Sequence, residues 1–187
     1  MIIKKPPVDI NKSYETSVQV TENGKFLIFI SHGKERRLKA IEFSSIGKIG
    51  QRPVFNLGFG DYDIITGNIS DDIITNNGDV YVIFNTVLIS VKDFLGENPD
   101  AIVMVRGSDS SADFITKCKL SCKRGCISDC KNKNRRINIY RSYLDKNYTE
   151  LNISYSLFGS FKSSDVDFVI EDFNIGAKYL SLFITKR

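Results

Sequence analysis

The sequence contains no tryptophan, one histidine and four prolines. Its apolar runs stay below the roughly 18 residues that a membrane-spanning helix needs. The lone His32 excludes nucleases that use paired histidines, and its predicted position in a hairpin turn disfavours a nucleophile–histidine triad. The chain also lacks a P-loop, a dinucleotide fingerprint, an HExxH motif and an EF-hand loop. Because the N-terminus shows no secretion signal, we expect a cytoplasmic protein that does not engage a membrane.

What the chain does contain is typical of a globular protein. Of its 187 residues, 42% are hydrophobic and 26% are charged. These values predict one folded domain over residues 1–187 and exclude a coiled coil, a collagen-like chain or disorder for its bulk. A chain of this length buries roughly 70% of its unfolded surface, so it needs neither a metal nor a disulfide merely to fold.

The pattern of apolar residues predicts an α+β fold. An N-terminal antiparallel meander is indicated by strands near 14–21, 25–31, 38–43 and 53–59, the first two joined by Glu22-Asn23-Gly24. Apolar residues at steps of three and four then predict a long amphipathic helix over 80–95. A buried strand over 101–105, a second helix over 135–148 and C-terminal antiparallel strands near 153–158, 167–170 and 178–185 complete the predicted fold.

Positive charge is concentrated in residues 117–141. This segment holds nine basic residues and one acidic residue, whereas the whole chain has a net charge of only +4. The rest of the chain is therefore mildly acidic. A segment of this kind attracts phosphate polyanions, which makes nucleic acid or an acidic or cognate protein the expected partner.

All four cysteines lie in the same segment, at Cys118, Cys122, Cys126 and Cys130. On one unbroken helix the outer two would lie roughly 18 Å apart, too far to share a zinc ion. A break at Gly125 would instead give two i,i+4 pairs facing each other, which predicts zinc as the cofactor. Free thiols in a mobile excursion and disulfides formed under oxidation stay open as alternatives.

An ordered set of short motifs carries a resemblance to a known group of proteins. The set is FNLGFGD (55–61), Thr66-Gly67, NNGD (76–79), Gly107-Ser108, an Arg-x-x-x-Tyr-Arg helix (136–141), Phe158-Gly159, and a last strand with Tyr179 and Phe183 ending in Lys186-Arg187. It resembles a family of small bacterial proteins of uncharacterised function. The resemblance implies an α+β fold and no reaction, and it associates the chain with defence and toxin–antitoxin neighbourhoods. This chain departs from the family pattern by a basic, Cys-rich insertion over 109–134.

The most suggestive site is the turn at Gly107-Ser108, where a strand meets a helix N-terminus that favours an anion. The family pattern implies that Arg136 and Arg141 fold back onto this turn to bind phosphate, and Tyr140 would stack on a base. Lys131, Lys133 and Arg135 extend the predicted anion or nucleic-acid site. A simple capped turn with solvated arginines is the alternative.

Two functions follow as hypotheses. The first is a non-catalytic cytoplasmic module that binds nucleic acid or an acidic protein through the basic Cys-rich segment, as a component of a bacterial defence or toxin–antitoxin system. The second is a metal-dependent enzyme, a toxin acting on a nucleotide or nucleic-acid phosphate, in which Asp61 and Asp63 would place the metal. No Asp-x-Asp follows Ser108 at the spacing of nucleotidyl transfer, so binding is favoured over catalysis.

Overall fold

The computed structural model describes residues 12–21, 24–70, 77–120, 122, 125–126, 130–162 and 168–187, with Thr21 and Ala112 described by their backbone alone. These residues form an α+β fold, as predicted, and its sheet is mixed because β4 and β6 are parallel. The strands are β1 (Ser17–Thr21), β2 (Gly24–His32), β3 (Arg36–Ile49), β4 (Arg52–Tyr62), β5 (Ile69–Ser70), β6 (Ile102–Arg106), β7 (Tyr155–Ser160), β8 (Glu171–Asp172) and β9 (Ser181–Lys186). The helices are α1 (Val80–Glu97), α2 (Ala112–Leu120) and α3 (Arg135–Ser154).

The chain divides into two compact units. The first contains residues 1–44 and 58–97, and the second contains residues 45–57 and 98–187. Strands β3 and β4 therefore contribute residues to both units. The prediction of a single domain over 1–187 stays a prediction.

The first unit contains the N-terminal antiparallel meander that the sequence predicts. Strand β1 pairs with β2, with Thr21 opposite Gly24, and β2 pairs with β3, with Gly24 opposite Ser44. Glu22 and Asn23 of the predicted hairpin turn lie outside the described residues. Strand β5 pairs with β4 and is not among the strands that the sequence predicts.

Helix α1 follows the predicted amphipathic pattern and ends two residues later than predicted, at Glu97. Its buried face includes Val87, Val91, Phe94 and Leu95. The ring of Phe94 stacks on that of Phe43 in β3, with the ring centres 4.2 Å apart and the planes nearly parallel. Stacking and apolar burial together fix the helix on this part of the sheet.

A buried polar network holds the start of α1 to the end of β2. Asp79 Oδ2 accepts hydrogen bonds from Ser31 Oγ at 2.5 Å and from Tyr14 Oη at 2.7 Å. Asn77 Nδ2 donates to Ser31 Oγ at 2.9 Å. A Cβ on Gly33 would lie 2.2 Å from the backbone oxygen of Asn77, so this close approach requires glycine. Burial, and then the hydrogen bond to Asp79, raise the pKa of Tyr14.

The sheet of the second unit is ordered β4-β6-β9-β7-β8. Strand β4 runs parallel to β6, and β9 lies between β6 and β7 and is antiparallel to both. Its core cluster consists of Val54, Ile102, Met104 and Phe183. Helix α3 packs against β6, β7 and β9 and buries Ile137 and Leu151.

The C-terminal strands are confirmed, with different bounds. The prediction of a strand over 167–170 is wrong for residues 168–170, which are irregular, and Asp167 lies outside the described residues. The strand formed there is β8, two residues that pair with Phe158 and Gly159 of β7. The last strand begins at Ser181 rather than at Lys178.

Candidate functional site

The predicted Gly107-Ser108 turn follows β6 directly and forms a 3₁₀ turn over Ser108–Ser110. Asp109 in this turn is only 5% exposed. A Cβ on Gly107 would lie 2.6 Å from Asp109 Oδ1 and 3.1 Å from the backbone nitrogen of Ile137 in α3. The glycine therefore allows the turn and helix α3 to approach each other closely.

Asp109 caps the N-terminus of α3. Its Oδ2 accepts a hydrogen bond from the backbone N–H of Arg136 at 3.0 Å, and its backbone oxygen accepts one from Asn134 at 3.2 Å. Asn134 has the left-handed conformation, with φ of 59°, and makes no side-chain cap of its own. The carboxylate of Asp109 thus occupies the place that an external anion would take at this helix end.

The environment of Asp109 disfavours its charge. Burial raises its pKa, and the hydrogen bonds from the backbone N–H groups of Arg136 and Arg135 offset only part of this effect. Within the described residues, no hydrogen-bond partner is found for the buried Asp109 Oδ1, Ser110 Oγ or Asn134 Oδ1. The charged form of Asp109 is therefore disfavoured in the fold, and protonation of its carboxyl group would remove this unfavourable contribution.

Helix α2 begins just after the same turn, and its N-terminus is also capped from within the chain. Ser111 Oγ accepts a hydrogen bond from the backbone N–H of Phe114 at 3.1 Å. The sequence predicts an anion site at this strand-to-helix junction. At the start of α2 the junction has a side-chain cap, as in the alternative of a simple capped turn.

Arg136 does fold back onto the turn, as the family pattern implies. Its Nη1 donates a hydrogen bond to Ser108 Oγ. Burial lowers the pKa of Arg136, and the neighbouring Tyr140 partly opposes this. Burial also raises the pKa of Tyr140, and Arg136 and then Asp109 act on it in opposite directions. Ser108, Asp109, Arg136 and Tyr140 are therefore one group of interacting residues.

Arg141 lies elsewhere. Its side chain is 9% exposed, and its guanidinium donates to the backbone oxygen of Tyr179 at 3.0 Å and to Asn138 Oδ1. The structure therefore does not bring Arg141 to Ser108 with Arg136. The arginine instead holds α3 to the segment before β9.

The remaining basic candidates are open to solvent. Lys131, Lys133 and Arg135 are all exposed, and they lie in the turn before α3 and at its first residue. We call these three residues the basic surface. On α2, Lys117 and Lys119 are exposed as well. The basic surface therefore lies at the positive end of a 20-residue helix.

The four cysteines all belong to the described residues, are partly exposed and form no disulfide. Cys118 Sγ accepts a hydrogen bond from Asn132 Nδ2 at 3.3 Å, and Cys126 Sγ accepts one from the backbone N–H of Lys131 at 3.3 Å. The hydrogen bond from Asn132 lowers the pKa of Cys118, but the hydrogen bond with Cys130, burial and the charges of Cys130 and Cys122 together raise it. Among the described residues, no three His, Cys, Asp or Glu side chains are grouped to hold a metal ion. Zinc binding stays a prediction.

The carboxylates that the enzymatic hypothesis uses are engaged by the protein itself. Asp61 Oδ1 lies 2.7 Å from Lys39 Nζ in an almost fully buried ion pair. Asp63 Oδ1 accepts hydrogen bonds from the backbone N–H groups of Ile65 at 2.8 Å and Thr66 at 3.2 Å, and these bonds lower its pKa. Both arrangements are structural ones, so this pair gives the metal-dependent hypothesis no support.

Residues 11–116 match the sequence profile of a family of unknown function, DUF6934. The chain belongs to this family. The DUF6934 match contains Gly107, Ser108 and Asp109 and ends before Cys118, so the cysteines and α3 lie outside the matched residues. No curated protein and no solved structure matches the chain. No helix in the part of the chain that the structure describes is long and apolar enough to span a membrane.

Sequence reasoning missed Asp109, which organises the turn and the start of α3. Its only sequence signal is its position directly after Gly107-Ser108. The same reasoning also missed Lys39 as the partner of Asp61. The alternation along β3 predicts which face Lys39 occupies, but not that a cation is buried there.

Proposed function

We propose that the chain is a non-catalytic binding module that holds the phosphate backbone of nucleic acid on the basic surface. The observation that carries this proposal is the exposure of Lys131, Lys133 and Arg135 at the N-terminal end of α3. When three Lys and Arg side chains contact a polyanion, they release counterions from it, and this release favours binding. Such binding does not require recognition of particular bases.

The anchoring of α3 supports the proposal. The hydrogen bond from the Arg136 N–H to Asp109, together with the contact between Arg136 and Ser108, fixes the first turn of the helix. Arg135 of the basic surface is therefore held on an anchored helix turn, which lowers the entropy lost when it binds a ligand. A role in a bacterial defence or toxin–antitoxin system stays a prediction.

The test is the salt dependence of binding to a fluorescent oligonucleotide, measured by anisotropy between 50 and 200 mM salt. The variant K131Q/K133Q/R135Q removes three charges. If each side chain contacts one phosphate, the slope of log K against log salt becomes shallower by about 2 for single strands and about 3 for duplex DNA.

The matched control is K34Q/K48Q/K92Q, which removes three exposed lysines outside the basic surface. We expect it to bind like the unmodified protein, apart from a small effect of net charge. An unmodified protein that does not bind either oligonucleotide, or a basic-surface variant with an unchanged slope, would contradict the proposal. Tighter binding to polyglutamate than to both oligonucleotides would point to an acidic protein partner and overturn the choice of nucleic acid.

A further inference from the structure

A polar cavity of about 380 Å³ lies between α3 and the segment before β9. It is lined by Asn138, Arg141, Ser142, Asp145, Ala177 and Lys178. Its size lies in the range of small-molecule sites. None of the three residues of the basic surface lines it, so the cavity is a separate feature of the second unit.

Arg141 is the main reason to examine this cavity. Its side chain is 9% exposed, and the acceptors of its two hydrogen bonds, Tyr179 O and Asn138 Oδ1, are both uncharged. A guanidinium has five N–H donors, so these bonds leave three without a hydrogen-bond acceptor in the described part of the chain. Burying a cation is unfavourable unless an anion compensates for it.

The cavity lining contains one carboxylate. It belongs to Asp145, which acts on Arg141 and whose Oδ1 also accepts the backbone N–H of Gly176 at 3.0 Å. Lys178 adds an exposed second cation to the lining. Two cations and one carboxylate leave the cavity positively charged, and Ser142 adds a hydroxyl donor.

We propose that this cavity binds the phosphate group of a small phosphomonoester. The planar guanidinium of Arg141 would hold two phosphate oxygens, and Lys178 and Ser142 would bind the others. A phosphate alone leaves much of the volume unfilled, so the ligand carries an organic group beyond it. This site is independent of the basic surface and would take a monomeric ligand rather than a polymer.

The experiment titrates the full chain with inorganic phosphate, with adenosine 5′-monophosphate and with acetate, and follows the amide ¹H–¹⁵N resonances. We expect both phosphate compounds to shift the amides of Asn138, Ser142, Ala177 and Lys178, and the monophosphate to bind more tightly. Equal affinity for the two would leave free phosphate as the ligand and overturn the phosphomonoester. Acetate binding as tightly as phosphate would overturn the assignment of a phosphate site, as would unshifted cavity resonances.

Three variants test the residues. R141K keeps the charge but loses the planar fork, and we expect at least a tenfold loss of affinity. R141K changes a buried residue. K178E and S142A change exposed residues, so they test the same site and leave the core unchanged. We expect K178E to lose at least tenfold with an unchanged melting temperature, and K92Q, at an exposed lysine outside both the cavity and the basic surface, to bind normally. Normal phosphate binding by both K178E and S142A would overturn the proposal.

Discussion

The carboxylate of Asp109 accepts the backbone N–H of Arg136 at 3.0 Å, although the two residues are 27 positions apart in the chain. Helix α2 and all four cysteines lie between these two residues in the sequence. The hydrogen bond therefore joins Asp109, inside the part of the chain that matches DUF6934, to Arg136, which lies beyond it.

Asp109 should make stability depend on pH. Its folded-state pKa lies above the ordinary value, which is about 3.9, because the carboxyl group is buried. The protonated carboxyl group of Asp109 therefore stabilises the fold at pH values below its ordinary pKa. This contribution is lost as the pH rises through the folded-state pKa. D109N keeps an acceptor for the Arg136 N–H and does not ionise. Between pH 4 and pH 7 the unmodified protein should lose stability relative to D109N, by about 1.4 kcal/mol for each unit of pKa shift.

Urea unfolding of both proteins at several pH values measures this difference directly. Other titrating groups are common to the two proteins and cancel in the comparison. A free-energy difference that stays constant from pH 4 to pH 7 would show that Asp109 has an ordinary pKa.

Gly107 should tolerate no side chain. In G107A the new Cβ would meet Asp109 Oδ1 at 2.6 Å and the backbone of Ile137 at 3.1 Å, so we expect a loss of about 1–3 kcal/mol in the free energy of unfolding. The matched control is G96A in α1, where a Cβ would find nothing within 4 Å. We expect that control to gain about 0.5–1 kcal/mol from helix propensity. Equal effects at the two positions would contradict the close approach of α3 to the turn.

The buried pair of Lys39 and Asp61 should be costly to break from one side. D61N leaves the ammonium of Lys39 buried without its ion-pair partner, and we expect a loss of about 3–5 kcal/mol. Replacing both residues, in K39M/D61L, should recover most of this loss because neither charge of the pair is then left buried.

E35Q is the control for this prediction, since Glu35 forms an exposed ion pair with Arg37 at 2.5 Å. We expect a loss of less than about 1 kcal/mol there. Urea unfolding midpoints, compared at a constant m-value, measure the stability of the unmodified protein and of D61N, K39M/D61L and E35Q. A double variant as unstable as D61N would mean that shape, rather than the unpaired charge, dominates.

Zinc binding is tested by a native mass spectrum of the freshly purified, reduced protein. If Cys118, Cys122, Cys126 and Cys130 hold the ion, one zinc is present and C130S loses it. A metal-free chain with four reactive thiols would instead favour the alternative of a thiol-bearing excursion.

The elements of this fold were largely predictable because their signals are local. Helix α1 repeats its apolar residues at helical spacing, and β6 is a short apolar run bounded by turns. The two-residue strands β5 and β8 are too short to show any periodicity, and they form only because a longer strand offers them an edge. Such strands depend on tertiary contacts that no local pattern records.

The candidate site was predictable in part. The resemblance indicated correctly that Arg136 returns to Ser108, across a separation of 28 residues. Its implication that Arg141 does so too could have been questioned from geometry, since residues five apart lie about 140° apart around a helix. The role of Asp109 could not be foreseen, because the chain has 22 acidic residues and burial depends on packing. The role of Gly159 could not be foreseen either, because the sequence does not show that a Cβ there would lie 2.4 Å from the ring of Tyr179.

The central position of β9 has a consequence for synthesis in the cell. Strands β6 and β7 hydrogen-bond to β9 on its two sides, and β9 is the last of the three to be translated. The ribosome must therefore release residue 186 from its exit tunnel before the second unit can close its sheet. Until then the nascent chain exposes two unpaired strand edges, and a premature stop before Ser181 would leave them as sites for aggregation.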